Sequence, residues 1–112
     1  MQNKVPITTK LPKSLHQNLL QQVIQDGYGM RGKSKWISES IERLLALSNF
    51  PELVEIANEV EELTDIIGIR ITKNLLDKLD HAVIDIRKQY PSIEGVKSKI
   101  VRASIIQRLL RG

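Results

Sequence analysis

ITTKLPKSL (residues 7–15) and IIGIRITKNLL (residues 66–76) decide how this chain folds. Each opens with apolar residues at every second position: Ile7 and Leu11 in the first, Ile67, Ile69 and Ile71 in the second. A period of two sets those side chains on one face of an extended strand. Thr9 takes the inward position of the first run. Each run then gives way to an apolar stripe of helical spacing. After Pro12, which suits a first helical turn, come Leu15, Leu19, Leu20, Val23 and Ile24. After Thr72, a residue suited to capping a helix N-terminus, come Leu75, Leu76, Leu79, Val83 and Ile86. Gly27-Tyr28-Gly29 and Tyr90-Pro91 punctuate the two helix ends.

The likeness spreads outward from these stretches. At an offset of 60, residues 4–26 lie over 64–86 and match at Ile7/Ile67, Lys13/Lys73, Leu15/Leu75, Leu19/Leu79, Val23/Val83 and Ile24/Ile84. At an offset of 64, KSKWISESIERLL (33–45) lies over KSKIVRASIIQRL (97–109). The extra residues fall near YGMRG (28–32) and YPSIEG (90–95), in a loop, where insertions are best tolerated. The second stretch predicts a helix N-capped by Ser34 or Ser98. Its apolar positions are Trp36, Ile37, Ile41, Leu44 and Leu45, or Ile100, Val101, Ile105, Ile106, Leu109 and Leu110. Between the copies, PELVEIANEVEEL (51–63) predicts a connecting helix with Leu53, Val54, Ile56, Ala57, Val60 and Leu63 on its apolar side.

A strand–helix–helix unit of roughly 40 residues cannot bury its own apolar faces. A lone strand also leaves its backbone donors and acceptors unpaired. Pairing the two strands antiparallel over four interlocked helices answers both problems. The expected fold is mainly α with one two-stranded antiparallel β-ribbon. Residues 1–112 form a single domain of two repeats: a first unit (4–47), an acidic helical connector (48–65) and a second unit (66–112).

Charge follows the same division. The chain of 112 residues holds 17 Lys and Arg against 13 Asp and Glu, a net of +4. Six of those acids (Glu52, Glu55, Glu59, Glu61, Glu62 and Asp65) crowd into the connector, which has no Lys or Arg. The remainder carries 17 bases against 7 acids. Two basic blocks around an acidic one point to a nucleic acid or a membrane surface, with the acidic segment held away from bound phosphates. The absence of cysteine excludes disulfides, thiolate metal sites and a Cys nucleophile. No apolar run approaches the ~20 residues of a membrane span and no signal-peptide pattern opens the chain, so a cytoplasmic protein without membrane association is expected. His16 and His81 do not share a repeat position, and no nucleophile–base pairing or metal-ligand spacing occurs. An enzyme is not expected, nor are catalytic residues, a metal or a cofactor.

ITTKLPKSL and IIGIRITKNLL, together with GKSKWI (32–37) and VKSKIV (96–101), resemble the ribbon-helix-helix family, the Arc, MetJ and CopG type of DNA-binding protein. In most of that family one copy per chain dimerises. Two copies in one chain imply a tandem ribbon-helix-helix forming a single-chain pseudo-dimer, similar to TraY-like and VirC2-like conjugation accessory proteins. The resemblance implies sequence-specific binding of double-stranded DNA, with the ribbon in the major groove. Alternation turns Pro6, Thr8 and Lys10 outward on one strand, and Ile66, Gly68, Arg70 and Thr72 on the other. Base contacts are expected from Thr8, Lys10, Gly68 and Arg70. Arg and Lys suit guanine, Thr suits the thymine methyl, and Gly lets the backbone approach closely. Phosphate contacts are expected at the second-helix N-termini, from Lys33, Ser34 and Lys35 and from Lys97, Ser98 and Lys99. Lys13 and Lys73, after each strand, are further phosphate candidates, and Arg31, in the first loop only, is another contact candidate. The two strands differ outward, so a recognition element without perfect palindromy is expected. The implied role is that of a plasmid or mobile-element protein, either relaxosome accessory or transcriptional repressor. A relaxase or other mobilisation protein, and a second copy on an adjacent site, are further expected partners. The alternative is an antitoxin or other protein-interaction module of the same type. The chain ends just past its last helix, which weighs against a toxin-binding tail.

Overall fold

The computed structural model describes residues 3–29, 31–57, 60 and 62–111. In chain order the elements are β1 (Lys4–Leu11), α1 (Lys13–Gln25), α2 (Lys33–Leu45), α3 (Phe50–Ala57), β2 (Asp65–Thr72), α4 (Lys73–Gln89) and α5 (Val96–Arg111). The fold is mainly helical with one two-stranded antiparallel sheet. Both strands run longer than the alternation alone predicts.

Thr8 pairs with Gly68 at the centre of the ribbon, Lys4 with Thr72 at one end and Leu11 with Asp65 at the other. The Arg70 N–H bonds the Ser34 hydroxyl instead of crossing to β1. Pro6, opposite Arg70, therefore sits where no ladder bond forms, and its missing N–H costs the sheet nothing. The inner face is the one expected: Thr9, Leu11, Ile67, Ile69 and Ile71 are buried. Beneath it α2 and α5 pack on each other, α5 also against β1 and α2 against β2. Their buried Ile37, Ile41, Leu44, Ile100, Val101 and Ile105 meet the strand isoleucines in one core.

Trp36 is fully buried and its indole N–H donates to Asp26 at 2.8 Å. The Arg108 guanidinium lies 4.3 Å from the Trp36 ring centroid. It donates to the Trp36 carbonyl at 2.7 Å, to the Ser40 hydroxyl at 3.2 Å and to the Tyr28 hydroxyl at 3.0 Å. A buried cation is tolerable only when satisfied in this way. The cluster ties the α1–α2 turn to the far half of α5.

Thr72 caps α4 as the sequence predicts, its hydroxyl accepting from the Leu75 N–H at 3.2 Å. That use turns it away from the outer ribbon face where alternation had placed it. The α1 stripe is narrower than predicted. Leu19 and Val23 are buried, whereas Leu20 and Ile24 stay 42% and 57% exposed, on the side of the helix turned away from the core. Leu110 is likewise exposed at the end of α5.

The connector departs most. The predicted helix over 51–63 is α3, Phe50–Ala57, while Val60 and residues 62–64 are not helical. Asn58, Glu59 and Glu61 lie outside the described residues. Val54 and Ala57 seat α3 against the core, but Ile56 faces solvent. β2 begins at Asp65, so the chain must leave helical geometry before it. Glu62 has a φ of +59°, a left-handed conformation outside any helix.

Asp65 also anchors that entry. Its carboxylate bonds His16 Nδ1 at 2.8 Å, across from α1. This bond, then one from the Thr64 hydroxyl, holds the Asp65 carboxyl below the usual aspartate range. A folded-state value below the unfolded one adds stability that is complete at neutral pH and fades as pH falls through the lowered value. The window lies below about pH 4, the ordinary aspartate range. Asp65→Asn is expected to flatten that acid limb, read as urea midpoints against pH. An unchanged slope below pH about 4 would contradict the pairing.

Candidate nucleic-acid interface

The outer face of the ribbon carries Pro6, Thr8, Lys10, Ile66, Gly68 and Arg70, all exposed. Thr8 and Gly68 face each other at its centre, Lys10 faces Ile66, and Arg70 faces Pro6. The two cations therefore stand on opposite strands, two residues from the centre in each chain direction. A Cβ at Gly68 would meet nothing within 4 Å, so the fold does not demand glycine there. What the missing side chain provides is bare backbone at the middle of the face. Ile66, 68% exposed, is the outward apolar side chain of this face, and alternation turns it outward without marking it as a base-contact candidate. Apolar groups of this kind suit a thymine methyl.

The first turns of α2 and α5 flank this face because side chains tie them to it. The Thr9 hydroxyl donates to the Ser98 carbonyl at 2.8 Å and lies 2.8 Å from the Ser98 hydroxyl. The Ser34 hydroxyl accepts from the Arg70 N–H at 3.1 Å. Neither serine is the helix cap that was expected. α2 begins at Lys33 after Gly32, and α5 at Val96 after Gly95, so both serines already lie inside the first turn. No side chain caps α2. Its leading N–H groups thus remain donors for an anion, beside the positive end of the helix dipole. Ser34 still has its own hydroxyl hydrogen to give.

The lysines of the two ends stand in different surroundings. Lys33 and Lys35 lie in the first turn of α2, with Lys35 Nζ 5.9 Å from the Tyr28 ring centroid. Among the described residues no carboxylate comes within ion-pair distance of either. Lys97, at the start of α5, pairs with Asp80 of α4 at 2.9 Å. Lys99 shares a surface recess with Glu55 of α3, Tyr90 and Glu94. The acidic connector was expected to stand clear of the phosphate positions. Glu55 instead sits beside one of them, because α3 packs on α5 and α4. Lys13 and Lys73 are exposed first residues of α1 and α4, and Arg31 is exposed in the α1–α2 turn.

Arg102 and Arg108 went unremarked from sequence. Arg102 is 4% exposed and its Nε donates to the Lys10 carbonyl at 2.9 Å. Burial lowers its pKa from the ordinary arginine value. A signal existed: Arg102 and Arg108 fall on the apolar stripe of α5, at the spacing of Val101 and Ile105. Charged residues on a core stripe are buried only with a partner. No helix among the described residues is long and apolar enough to cross a membrane. No family model, curated protein or solved structure matches this chain.

Proposed function

We propose that the two repeats form a single-chain ribbon-helix-helix pseudo-dimer that binds double-stranded DNA by sequence. The ribbon enters the major groove and the first turns of α2 and α5 hold the flanking phosphates. Support for the two-fold relation comes from the register. The central pair, Thr8 with Gly68, joins residues that are equivalent at the repeat offset of 60, as a dyad through the ribbon requires. Ser40 and Ser104, equivalent at the second offset, are both buried where α2 and α5 pack.

One observation carries the functional reading. An exposed ribbon face bearing Lys10 and Arg70 is tied by hydrogen bonds to two lysine-bearing helix starts. A two-stranded ribbon fits the major groove, and helix N-termini with lysines suit phosphates. Arg70 and Lys10 then reach guanine edges, and Thr8 and Ile66 meet thymine methyls. Pro6/Arg70 and Lys10/Ile66 are unlike pairs, so the two half-sites read differently and the target departs from a palindrome.

By resemblance, the DNA belongs to a plasmid or mobile element, where the protein serves as a relaxosome accessory or a repressor, with a relaxase or a second copy as neighbours. Footprinting on the DNA flanking its own gene tests this. Protection at a transfer origin supports the relaxosome role, and protection over a promoter supports repression. No protection at either site would reject both roles.

The unequal ends yield a separate expectation. Lys33→Ala should weaken binding to every sequence and reduce the salt slope by about one. Lys97→Ala should do less, because its ammonium must first leave Asp80. Titrations from low to moderate salt read this directly, and a larger loss for Lys97→Ala would contradict it.

A further inference from the structure

In a two-stranded ribbon both long edges lack a partner strand, so their backbone groups must find other partners or water. Here the two basic ribbon residues have theirs filled in different ways. At Arg70, on β2, the N–H goes to the Ser34 hydroxyl of α2 at 3.1 Å. At Lys10, its equivalent at the offset of 60, the carbonyl accepts from Arg102 Nε of α5 at 2.9 Å. The position in α2 that matches Arg102 is Ser38, so this arginine has no counterpart in the other half. Arg102 is also buried, which is unusual for a cation. Among the described residues no carboxylate pairs with it. Only Nε bonds the protein, while the terminal nitrogens, without a partner among the described residues, still reach solvent, so one bond to a surface strand adds little to stability alone. It makes sense if the position of that strand matters.

We propose that Arg102 is a positioning residue for base reading by Lys10. Its planar guanidinium latches the open edge of β1 to α5, the helix whose first turn is tied to Thr9 by Ser98. The Lys10 backbone is thereby fixed relative to the phosphate-holding end of α5, and the lysine side chain leaves the ribbon from a set point. The edge backbone group is thus held by an arginine at Lys10 and by a serine at Arg70. This rests on the ribbon reading proposed above.

The test compares wild type, Lys10→Ala, Arg70→Ala, Arg102→Met and Arg102→Lys on a duplex that wild type selects from random DNA, on single-base variants of it and on unrelated duplex. Folding is checked by urea midpoint. Arg102→Met should lower the ratio of specific to unrelated affinity about ten-fold, the size of one base contact. The lost discrimination should fall on the base pairs that Lys10→Ala also stops reading, with affinity for unrelated DNA and its salt slope nearly unchanged. Arg102→Lys, which keeps a donor within reach of the carbonyl, should recover part of it. Equal losses on specific and unrelated DNA would overturn the inference in favour of a direct phosphate contact. Unchanged discrimination in a folded Arg102→Met would overturn it too. If that variant does not fold, Arg102→Lys combined with Lys10→Ala decides. Effects on discrimination that simply add would overturn the inference, and a double variant no worse than Lys10→Ala would uphold it. Wild-type discrimination in both Lys10→Ala and Arg70→Ala would instead reject the ribbon reading itself, a distinguishable failure.

Discussion

Trp36→Ala is expected to cost the fold about 3–5 kcal/mol, the usual range for removing a buried large aromatic. The ring is fully buried and three separate losses coincide there. Its volume becomes a cavity between α2 and α5. The Asp26 carboxylate loses the indole N–H, the first cause of its lowered pKa. The Arg108 guanidinium loses the ring 4.3 Å beneath it while still bonding the main chain of residue 36. Domains of this size are typically stable by about 5–15 kcal/mol, so the variant should stand near the margin at room temperature. Urea titration reads the effect as a lower midpoint with a similar slope. Trp36→Phe keeps most of the ring and loses the donor, and should cost far less. A loss below about 1 kcal/mol for Trp36→Ala, a typical surface-scale effect, would mean that the Trp36–Arg108 cluster does not hold α2 to α5.

The double change Lys10→Ala with Arg70→Ala should remove most sequence discrimination. Each side chain that reads a base well contributes about 1–3 kcal/mol of preference for the right pair. The two stand on different strands with Thr8 and Gly68 between them, far enough apart in register to act on separate base pairs. Their losses should therefore nearly add, giving about 2–6 kcal/mol against the selected site. Affinity for unrelated duplex should fall much less if, as proposed, the lysines of the helix starts supply that part. Competition binding on selected and unrelated duplex measures both quantities at one salt concentration. A parallel fall on the two DNAs would show Lys10 and Arg70 to be phosphate contacts. That outcome would transfer base reading elsewhere.

How far these residues were legible in the sequence depends on which constraint governs them. Period-two apolar spacing placed Ile67, Ile69 and Ile71 inward and Lys10 and Arg70 outward, because a half-buried strand has no other way to face a core. Thr72 marked the start of α4 and Pro12 that of α1, since backbone geometry there is local, although Pro12 stands extended at the N-cap and not in the first turn where it was expected. Contacts between distant segments were not legible. Ser34 and Ser98 look like caps from their neighbours alone, yet each sits one or more residues too far into its helix and bonds a strand instead. The acidic run reads as one long helix, but its length is limited by where β2 must begin. Arg102 and Arg108 look like surface charges on composition. Only the fold shows that a ribbon carbonyl and the main chain at Trp36 receive them.

Selection of bound sequences from a pool of random duplex DNA, at about 0.1 M salt, tests DNA reading by the ribbon most directly. The wild-type chain should enrich a short element with at least one guanine contact in each half and no exact two-fold symmetry. The Lys10→Ala, Arg70→Ala chain should enrich that element far more weakly from the same pool. Failure of the wild-type chain to enrich any sequence, or equal enrichment of one element by both chains, would contradict the proposal that this ribbon reads DNA.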